Sequence, residues 1–215
     1  MKNCIVAQSG GPTAAINASL AGVIYGAIHC PEFDRIYGSL NGITGILDER
    51  TLDLTDTFQD AKTLDTLKAS PAMYLGSCRY KLPKLEDDSA PYKRIFQVFE
   101  KMEIQAFFYI GGNDSMDTVD KLSAYAASID SPVRVIGVPK TIDNDLVITD
   151  HTPGFGSAAK YVATSLREIF HDTVIYTPQS VTIVEIMGRD AGWLTAASVL
   201  ARNEYCAAPH LIYLP

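Results

Sequence analysis

The strongest constraint on how this chain folds is a pattern that recurs along it. A short apolar segment is followed by a turn rich in glycine or polar residues, and then by a helical repeat of apolar positions. Apolar segments of this kind occupy residues 4–7, 106–110, 133–138 and 181–186. Continuously apolar strands that alternate with helices are typical of a parallel sheet with both faces covered. The sequence therefore predicts an α/β fold built on a Rossmann-like, three-layer parallel-sheet domain.

Length, composition and charge narrow the possible functions. The 215 residues, of which 47% are hydrophobic, suffice for one large domain or two modest ones. The formal net charge of −7 argues against non-specific nucleic-acid binding, which needs a cationic surface. No apolar run approaches the ~18–20 residues that span a bilayer, so we expect no membrane partner. The four cysteines form no C-x-x-C pair, and we expect buried, reduced thiols in a cytoplasmic protein.

Two further segments bear on the organisation of the chain. Residues 81–92 are polar and contain two prolines, which predicts a surface loop. Residues 211–215 resemble one more buried strand, at which the sequence stops. A core strand with nothing after it is unusual, so we expect this chain to be a fragment of a longer protein.

The residues suited to ligand binding and catalysis lie in the turns that follow the apolar segments. In parallel sheets, ligands bind beyond the carboxyl ends of the strands, so these turns are expected to line one crevice. Glycines at 10–11 and 111–112 offer backbone N–H groups to an anion, although such turns are as often plain connections. We expect Pro12 in the first turn of the helix that follows. Asn113 and Asp114 suit either a helix N-cap or a Mg²⁺ site.

The segment at 139–145, PKTIDND, is more specific. Asp143 and Asp145 flank an amide just after a predicted strand, a pattern that an ordinary turn can also use. Acids beside a phosphate site suit a general base for a hydroxyl nucleophile. Lys140 offers a point charge to a phosphoryl group in transfer.

Five motifs in a fixed order resemble the phosphofructokinase family, and within it the pyrophosphate-dependent branch. They are SGGP at 9–12 with Asn17, LGSCR at 75–79, GGNDS at 111–115, PKTIDND at 139–145 and MGRDAGW at 187–193. The resemblance covers essentially the whole chain. It implies Mg²⁺-dependent transfer of a phosphoryl group from diphosphate to the C1 hydroxyl of fructose 6-phosphate, giving fructose 1,6-bisphosphate and phosphate.

The resemblance also implies a role for each matching residue. Asp143 would accept the proton of the C1 hydroxyl, Asp145 would organise the metal and the charged centre, and Lys140 would act on the phosphoryl group. The residues expected at the sugar phosphate are Thr141, Met187, Gly188 and Arg189. The residues expected at the phosphoryl donor are Gly11, Arg79, Gly112 and Asp114, with Asn113 as a Mg²⁺ ligand.

The family pattern implies a division of the chain into two domains. Residues 1–155 would form the α/β domain that binds the phosphoryl donor. Residues 156–215 would form the first, truncated part of a second α/β domain that binds the sugar phosphate. The full-length protein is expected to be a homo-oligomer, and the isolated fragment is expected to have little or no turnover.

The choice of donor depends on two positions. ATP-using relatives carry glycine where this chain has Asp114 and where it has Lys140. The bulk and negative charge of Asp114 would repel a third phosphate, while Lys140 supplies a cation for a compact diphosphate. The alternatives are an ATP-dependent phosphofructokinase, an NAD or lipid kinase with a similar glycine turn, and a non-catalytic subunit that only binds sugar phosphate or diphosphate.

Overall fold

The computed structural model describes residues 2–215 and separates into two compact units. The first unit ends at Lys140, and the second extends from Thr141 to Pro215. The functional boundary expected after residue 155 stays a prediction.

The first unit is a five-stranded sheet with helices on both faces. Its strands are β1 (Asn3–Gln8), β2 (Arg35–Ser39), β3 (Thr51–Asp53), β4 (Ile104–Gly111) and β5 (Arg134–Pro139). Its helices are α1 (Ile16–Ile28), α2 (Ile43–Leu47), α3 (Ala61–Ala69), α4 (Ala90–Lys101) and α5 (Asn113–Ser128). The strand order is β3-β2-β1-β4-β5, and every neighbouring pair is parallel except β2 with β3. The predicted α/β class with a mainly parallel sheet is confirmed.

The side chains of the central strands alternate between two cores. Ile5 and Phe107 belong to a cluster that includes residues of α2, α4 and α5. Cys4 and Val6 belong to a second cluster, which includes residues of α1 and α3. Because successive side chains of a strand point to opposite faces, a sheet covered on both sides needs apolar residues at nearly every position. This is why the strands are continuously apolar in the sequence.

Three of the predicted strands are present, and two are wrong. Residues 4–7, 106–110 and 133–138 lie in or largely within β1, β4 and β5. Residues 181–186 and 211–215 have no regular structure. Among the residues that the structure describes, no strand pairs with either segment. Val181 is 90% exposed and Tyr213 is 80% exposed, so these apolar side chains are not part of a core in the described part of the chain.

Two expected boundaries also differ from the structure. Pro12 does not lie in a helix, because α1 begins only at Ile16. The expected loop at 81–92 is three residues too long, because α4 begins at Ala90 with Pro91 in its first turn. Tyr92 is 1% exposed and donates its hydroxyl to the carbonyl of Pro83, 2.6 Å away, so this part of the segment belongs to the core.

The second unit is helical and has a small core. It contains α6 (Phe155–Val174), α7 (Trp193–Ala197) and a 3₁₀ helix (Ser198–Ala201). The guanidinium of Arg167 in α6 donates to the carbonyls of Ala201 (2.9 Å) and Leu200 (2.8 Å), which fixes the 3₁₀ helix against α6. Within residues 2–215, no helix combines the length and the apolar character that crossing a membrane requires.

The cysteines depart in part from the expectation of buried thiols. All four are free, but only Cys4 and Cys206 are buried, while Cys30 and Cys78 are partly exposed. Burial raises the pKa of the Cys4 thiol from its ordinary value of 9.0 to about 12, and the neighbouring Cys30 contributes to the same shift. The neutral form of Cys4 is therefore the form that the fold accommodates.

We expect Cys4 to make folding sensitive to alkaline pH. Its contribution to stability is fully present below pH 9, the ordinary pKa, and is lost as the pH rises toward the folded value of about 12. The slope within this window should be about 1.4 kcal/mol per pH unit. Urea unfolding of the wild type and of Cys4→Val between pH 8 and pH 11 measures it. Parallel curves for the two proteins would contradict the assignment.

Candidate active site

The carboxyl ends of β1, β4 and β5 lie side by side because these strands are neighbours in the sheet. The pairing continues past the strand ends, since Ser9 N donates to the carbonyl of Ile110 and Lys140 N donates to the carbonyl of Gly111, both at 2.9 Å. The loops that follow bring together a set of residues that we call the glycine edge: Gly10, Gly11, Gly112 and Lys140.

Lys140 supplies the positive charge of the glycine edge. Only 3% of this residue is exposed, and its Nζ donates to the carbonyl of Gly11 at 2.6 Å. A Cβ atom at Gly10 would lie 3.2 Å from this Nζ and 3.8 Å from the backbone N of Gly112. A buried ammonium and a backbone N–H group therefore meet beside glycines, which is the chemistry of a phosphate site.

Gly111, which precedes Gly112 of the glycine edge, and the two glycines at 10 and 11 are required for different reasons. A Cβ at Gly111 would lie 2.0 Å from Ser115 Oγ, so packing excludes a side chain there. At Gly10, a φ of +80° also disfavours other residues. A Cβ at Gly11 would meet nothing within 4 Å, and Gly11 is exposed. The open space above Gly11 is thus available to a ligand.

The start of α5 adds a helix N-terminus to the glycine edge. Gly112 is the N-cap, and no side chain caps the helix, so Asn113 and Asp114 do not serve as caps. Asn113 is half-buried and Asp114 is exposed, with its Oδ1 3.9 Å from Nζ of the exposed Lys81. The helix N-terminus favours an anion, while the carboxylate of Asp114 adds bulk and negative charge at the same end.

Arg79 ends a segment, residues 70–79, that we call the arginine loop. Ser77 Oγ donates to the carbonyl of Gly10 at 2.6 Å, so the loop contacts the glycine edge two residues before Arg79. The Arg79 side chain is exposed. Behind the loop, Cys78 Sγ lies 3.9 Å from the hydroxyl of Tyr109, and burial raises the pKa of Tyr109. Sequence reasoning found Arg79 but missed Ser77.

The acids of the PKTIDND segment lie in the second unit, in a turn at residues 141–145 that we call the acidic turn. Asp143 N donates to Thr141 Oγ1 at 3.1 Å. Asn144 has a φ of +57°, its Oδ1 accepts from Thr152 N at 2.8 Å, and its Nδ2 donates to the carbonyl of Asp150 at 3.0 Å. The amide between the two acids thus fixes the turn that carries them.

The acidic turn offers groups suited to acid–base chemistry. One carboxylate oxygen, Oδ1, of Asp143 and of Asp145 is shielded from solvent. Thr141 is 9% exposed, and its hydroxyl can still donate its hydrogen while accepting from Asp143. A carboxylate can act as a general base toward a hydroxyl group, so the residues of this turn are suited to proton transfer.

Residues 187–189 form a separate turn in the second unit, which we call the MGR turn. Ala191 N donates to the carbonyl of Gly188 at 3.0 Å, and Arg189 has a φ of +53°. Gly188 is buried, whereas Met187 is 70% exposed and Arg189 is exposed. The structure thus groups the expected donor residues in the first unit and the expected sugar-phosphate residues in two turns of the second.

The first turn of α5 offers donor atoms for a metal ion. In the described part of the chain, no cluster of three His, Cys, Asp or Glu side chains could hold a metal by itself. Asn113 and Asp114 provide one amide oxygen and one exposed carboxylate at the start of α5. Mg²⁺ that is bound to phosphates keeps several waters and needs only one or two protein oxygens, so these residues fit such an ion.

The contrast between two glycines is testable by substitution. Gly11→Ala should change the melting temperature by less than about 1 °C, because the space is open, but should weaken diphosphate binding by about tenfold if a phosphate occupies that space. Gly111→Ala is the matched comparison, and it should lower the melting temperature by more than about 5 °C through overpacking. Unchanged diphosphate affinity in Gly11→Ala, measured by titration calorimetry, would remove Gly11 from the site.

Comparison with known proteins gives a consistent result. The family profile described as phosphofructokinase matches residues 3–215. A protein of Halomonas elongata named pyrophosphate–fructose 6-phosphate 1-phosphotransferase is 44% identical over 99% of this chain and 51% of its own length. A protein of the same name from Xanthomonas campestris pv. campestris is 46% identical over 99% of this chain and 50% of its own length.

Solved structures are similar as well. The crystal structure of a pyrophosphate-dependent phosphofructokinase from Nitrosospira multiformis matches with a TM-score of 0.85 and 44% identity. The match covers 94% of this chain and 50% of that one. The chain therefore spans about half the length of the curated relatives and structures that it matches.

Proposed function

Because this chain belongs to the phosphofructokinase family, we propose that it forms the part of a phosphotransferase that binds diphosphate and supplies the catalytic base. The reaction moves a phosphoryl group to the C1 hydroxyl of fructose 6-phosphate, giving fructose 1,6-bisphosphate and phosphate. The observation that carries the proposal is the buried Lys140 ammonium beside Gly10 and Gly11. The names of the relatives at 44% and 46% identity support the substrates.

The glycine edge is the proposed donor site. Its backbone N–H groups and Lys140 would bind the diphosphate, and Arg79 would add a guanidinium suited to phosphate oxygens. Asp114 would limit the length of the donor, since a third phosphate would have to approach its carboxylate. The site therefore suits two linked phosphates better than the longer chain of ATP.

The acidic turn and the MGR turn form the proposed acceptor side. Asp143 accepts the proton of the C1 hydroxyl while the hydroxyl oxygen bonds to the terminal phosphorus of diphosphate. The bond from that phosphorus to the bridging oxygen breaks, and phosphate leaves. Thr141, Met187, Gly188 and Arg189 would bind the sugar phosphate, and Asp145 would orient the charged groups.

Mg²⁺ is the cofactor that this proposal includes. Asn113 would ligate it, with Asp145 helping to organise it. The ion would neutralise charge on the phosphate oxygens during transfer. The remaining ligands would be water and phosphate, in keeping with the small number of protein oxygens that the first turn of α5 supplies.

Donor preference is the decisive measurement. Titration calorimetry with Mg²⁺-diphosphate and with Mg²⁺-ATP should give tighter binding of diphosphate by the wild type. The combined change Asp114→Gly and Lys140→Gly should shift the ratio of the two affinities toward ATP by about tenfold or more, because it removes both the barrier and the cation. Equal wild-type affinity for both ligands would contradict the proposed preference for diphosphate over ATP.

Asp117→Gly is the matched control for the change at Asp114. Asp117 lies on the same helix, is exposed and pairs with Lys121 at 2.7 Å, so the control also removes one exposed carboxylate from α5. It should leave the ratio of affinities unchanged. Melting curves of every variant identify any loss of folding, which matters most for the buried Lys140. A shift of the same size in Asp117→Gly would attribute the effect to the loss of any exposed carboxylate from α5 and not to the position of Asp114.

Several alternatives stand beside this proposal. An ATP-dependent kinase would bind ATP more tightly than diphosphate in these titrations. An NAD or lipid kinase would bind ATP or NAD more tightly than diphosphate when NAD is titrated as a third ligand. A non-catalytic subunit remains a candidate for the isolated chain, because the second unit exposes large apolar side chains, among them Leu211 (72%) and Tyr213 (80%). Such surfaces usually mark contacts with further polypeptide.

We expect the 215 residues alone to show little or no turnover. A coupled assay with diphosphate and fructose 6-phosphate, run beside a full-length relative, measures this. Turnover comparable to that of the relative would contradict the expectation and would show that the acceptor side is complete. We propose a cytoplasmic location, which the free cysteines support. For the full-length protein we propose a homo-oligomer.

A further inference from the structure

Two buried amide side chains lie behind the glycine edge, and the proposed reaction does not use them. Gln8, at the end of β1, is 0% exposed, and Asn17, in the first turn of α1, is 1% exposed. Gln8 Nε2 donates to Asn17 Oδ1 at 3.1 Å. We call these two residues the amide pair.

The amide pair is bonded chiefly to the arginine loop. Gln8 Oε1 accepts from Leu75 N at 2.8 Å, and Asn17 Oδ1 accepts from Tyr74 N at 3.0 Å. Asn17 Nδ2 donates to the carbonyls of Pro71 at 2.9 Å and Ser70 at 3.3 Å. The two side chains therefore hold four backbone groups of one loop.

Burial of two amides in an apolar core needs a physical reason. An amide without partners in such a place costs about 1–3 kcal/mol, and apolar residues of the same shape would avoid that cost. The arginine loop supplies the reason, because its backbone N–H groups at Tyr74 and Leu75 are directed inward and lack a strand or helix to join. Backbone groups in this situation need side-chain partners.

Further contacts fix the arginine loop between the amide pair and the donor site. Leu75 packs tightly, since a Cβ at Gly38 would lie 2.7 Å from its Cδ2. Asn41 N donates to the carbonyl of Leu75 at 2.8 Å. Two residues further on, Ser77 Oγ donates to the carbonyl of Gly10. The chain between the amide pair and Arg79 therefore has little freedom to shift.

We propose that Gln8 and Asn17 are positioning residues for Arg79. By fixing the backbone of the arginine loop, they set the place of the Arg79 guanidinium beside the glycine edge. The inference rests on the proposed function, in which Arg79 binds diphosphate. Neither amide contacts the ligand, so the effect on binding passes through Arg79.

A double-mutant cycle tests this dependence. Gln8→Met keeps the length of the side chain and its neutrality but removes the bond to Leu75 N. It should weaken Mg²⁺-diphosphate binding by about tenfold in calorimetry, because Arg79 loses its fixed position. In the Arg79→Ala background the same change should weaken binding by less than about twofold. Equal weakening in both backgrounds would overturn the proposal.

Asn3→Met is the matched control on the same strand. Asn3 lies at the other end of β1, and its Nδ2 donates to the carbonyl of Met102 at 2.8 Å, so this change also removes an amide–carbonyl bond. It should lower the melting temperature by about as much as Gln8→Met does, but it should leave diphosphate affinity unchanged. Asn17→Asp, which replaces the donating Nδ2, is the second variant and should behave as Gln8→Met does. If both variants weakened diphosphate binding equally with and without Arg79, the positioning role of the amide pair would be refuted.

Hydrogen exchange separates failure of the inference from failure of the proposed function. If the wild type binds no diphosphate, the proposed function fails. Gln8 and Asn17 should still restrict the motion of the arginine loop in that case. Amide exchange over residues 74–79 should speed up by about tenfold in Gln8→Met and stay at the wild-type rate in Asn3→Met. Unchanged exchange in Gln8→Met would show that the amide pair does not hold the loop.

Discussion

The hydrogen bond from Lys140 Nζ to the carbonyl of Gly11 joins positions that lie 129 residues apart in the sequence. It is possible only because β1, β4 and β5 are neighbours, so that the loops following them start from one edge of the sheet. Parallel neighbours in a sheet need crossover connections, and α5 forms such a connection between β4 and β5. A buried ammonium is costly without a hydrogen-bond acceptor, and the carbonyl of Gly11 provides one.

The site combines parts that packing fixes with parts that packing leaves open. Gly111 is fixed by Ser115, and the arginine loop is fixed by buried amides. Gly11 and the Arg79 side chain face solvent instead. This division agrees with how binding sites are built in general, with a few accessible groups held in place by a supporting layer that is itself fully bonded. In the second unit, Asn144 supports its two acidic neighbours in the same manner.

The sequence predicted the sheet edge well because its signals are local. Glycine pairs and polar turns after apolar strands mark strand ends, and β1, β4 and β5 follow that rule. Residues 181–186 carry the same apolar signal but pair with no strand among the described residues, since pairing depends on partners that a local pattern does not reveal. Ser77 gives no signal in a single sequence. Asn17 does, because helical periodicity places this amide among Ile16 and Leu20 on the buried face of α1.

The bonds of the amide pair have a consequence for exchanging parts between related proteins. Residues 70–79 form a continuous stretch that invites transplantation as a cassette, yet their backbone is complemented by side chains at 8 and 17, far upstream in the sequence. A chimera that carries these residues without Gln8 and Asn17 would place their inward-facing N–H groups against side chains that cannot accept a hydrogen bond. The transferable module is thus discontinuous: it comprises a loop together with the strand end and helix start that hold it.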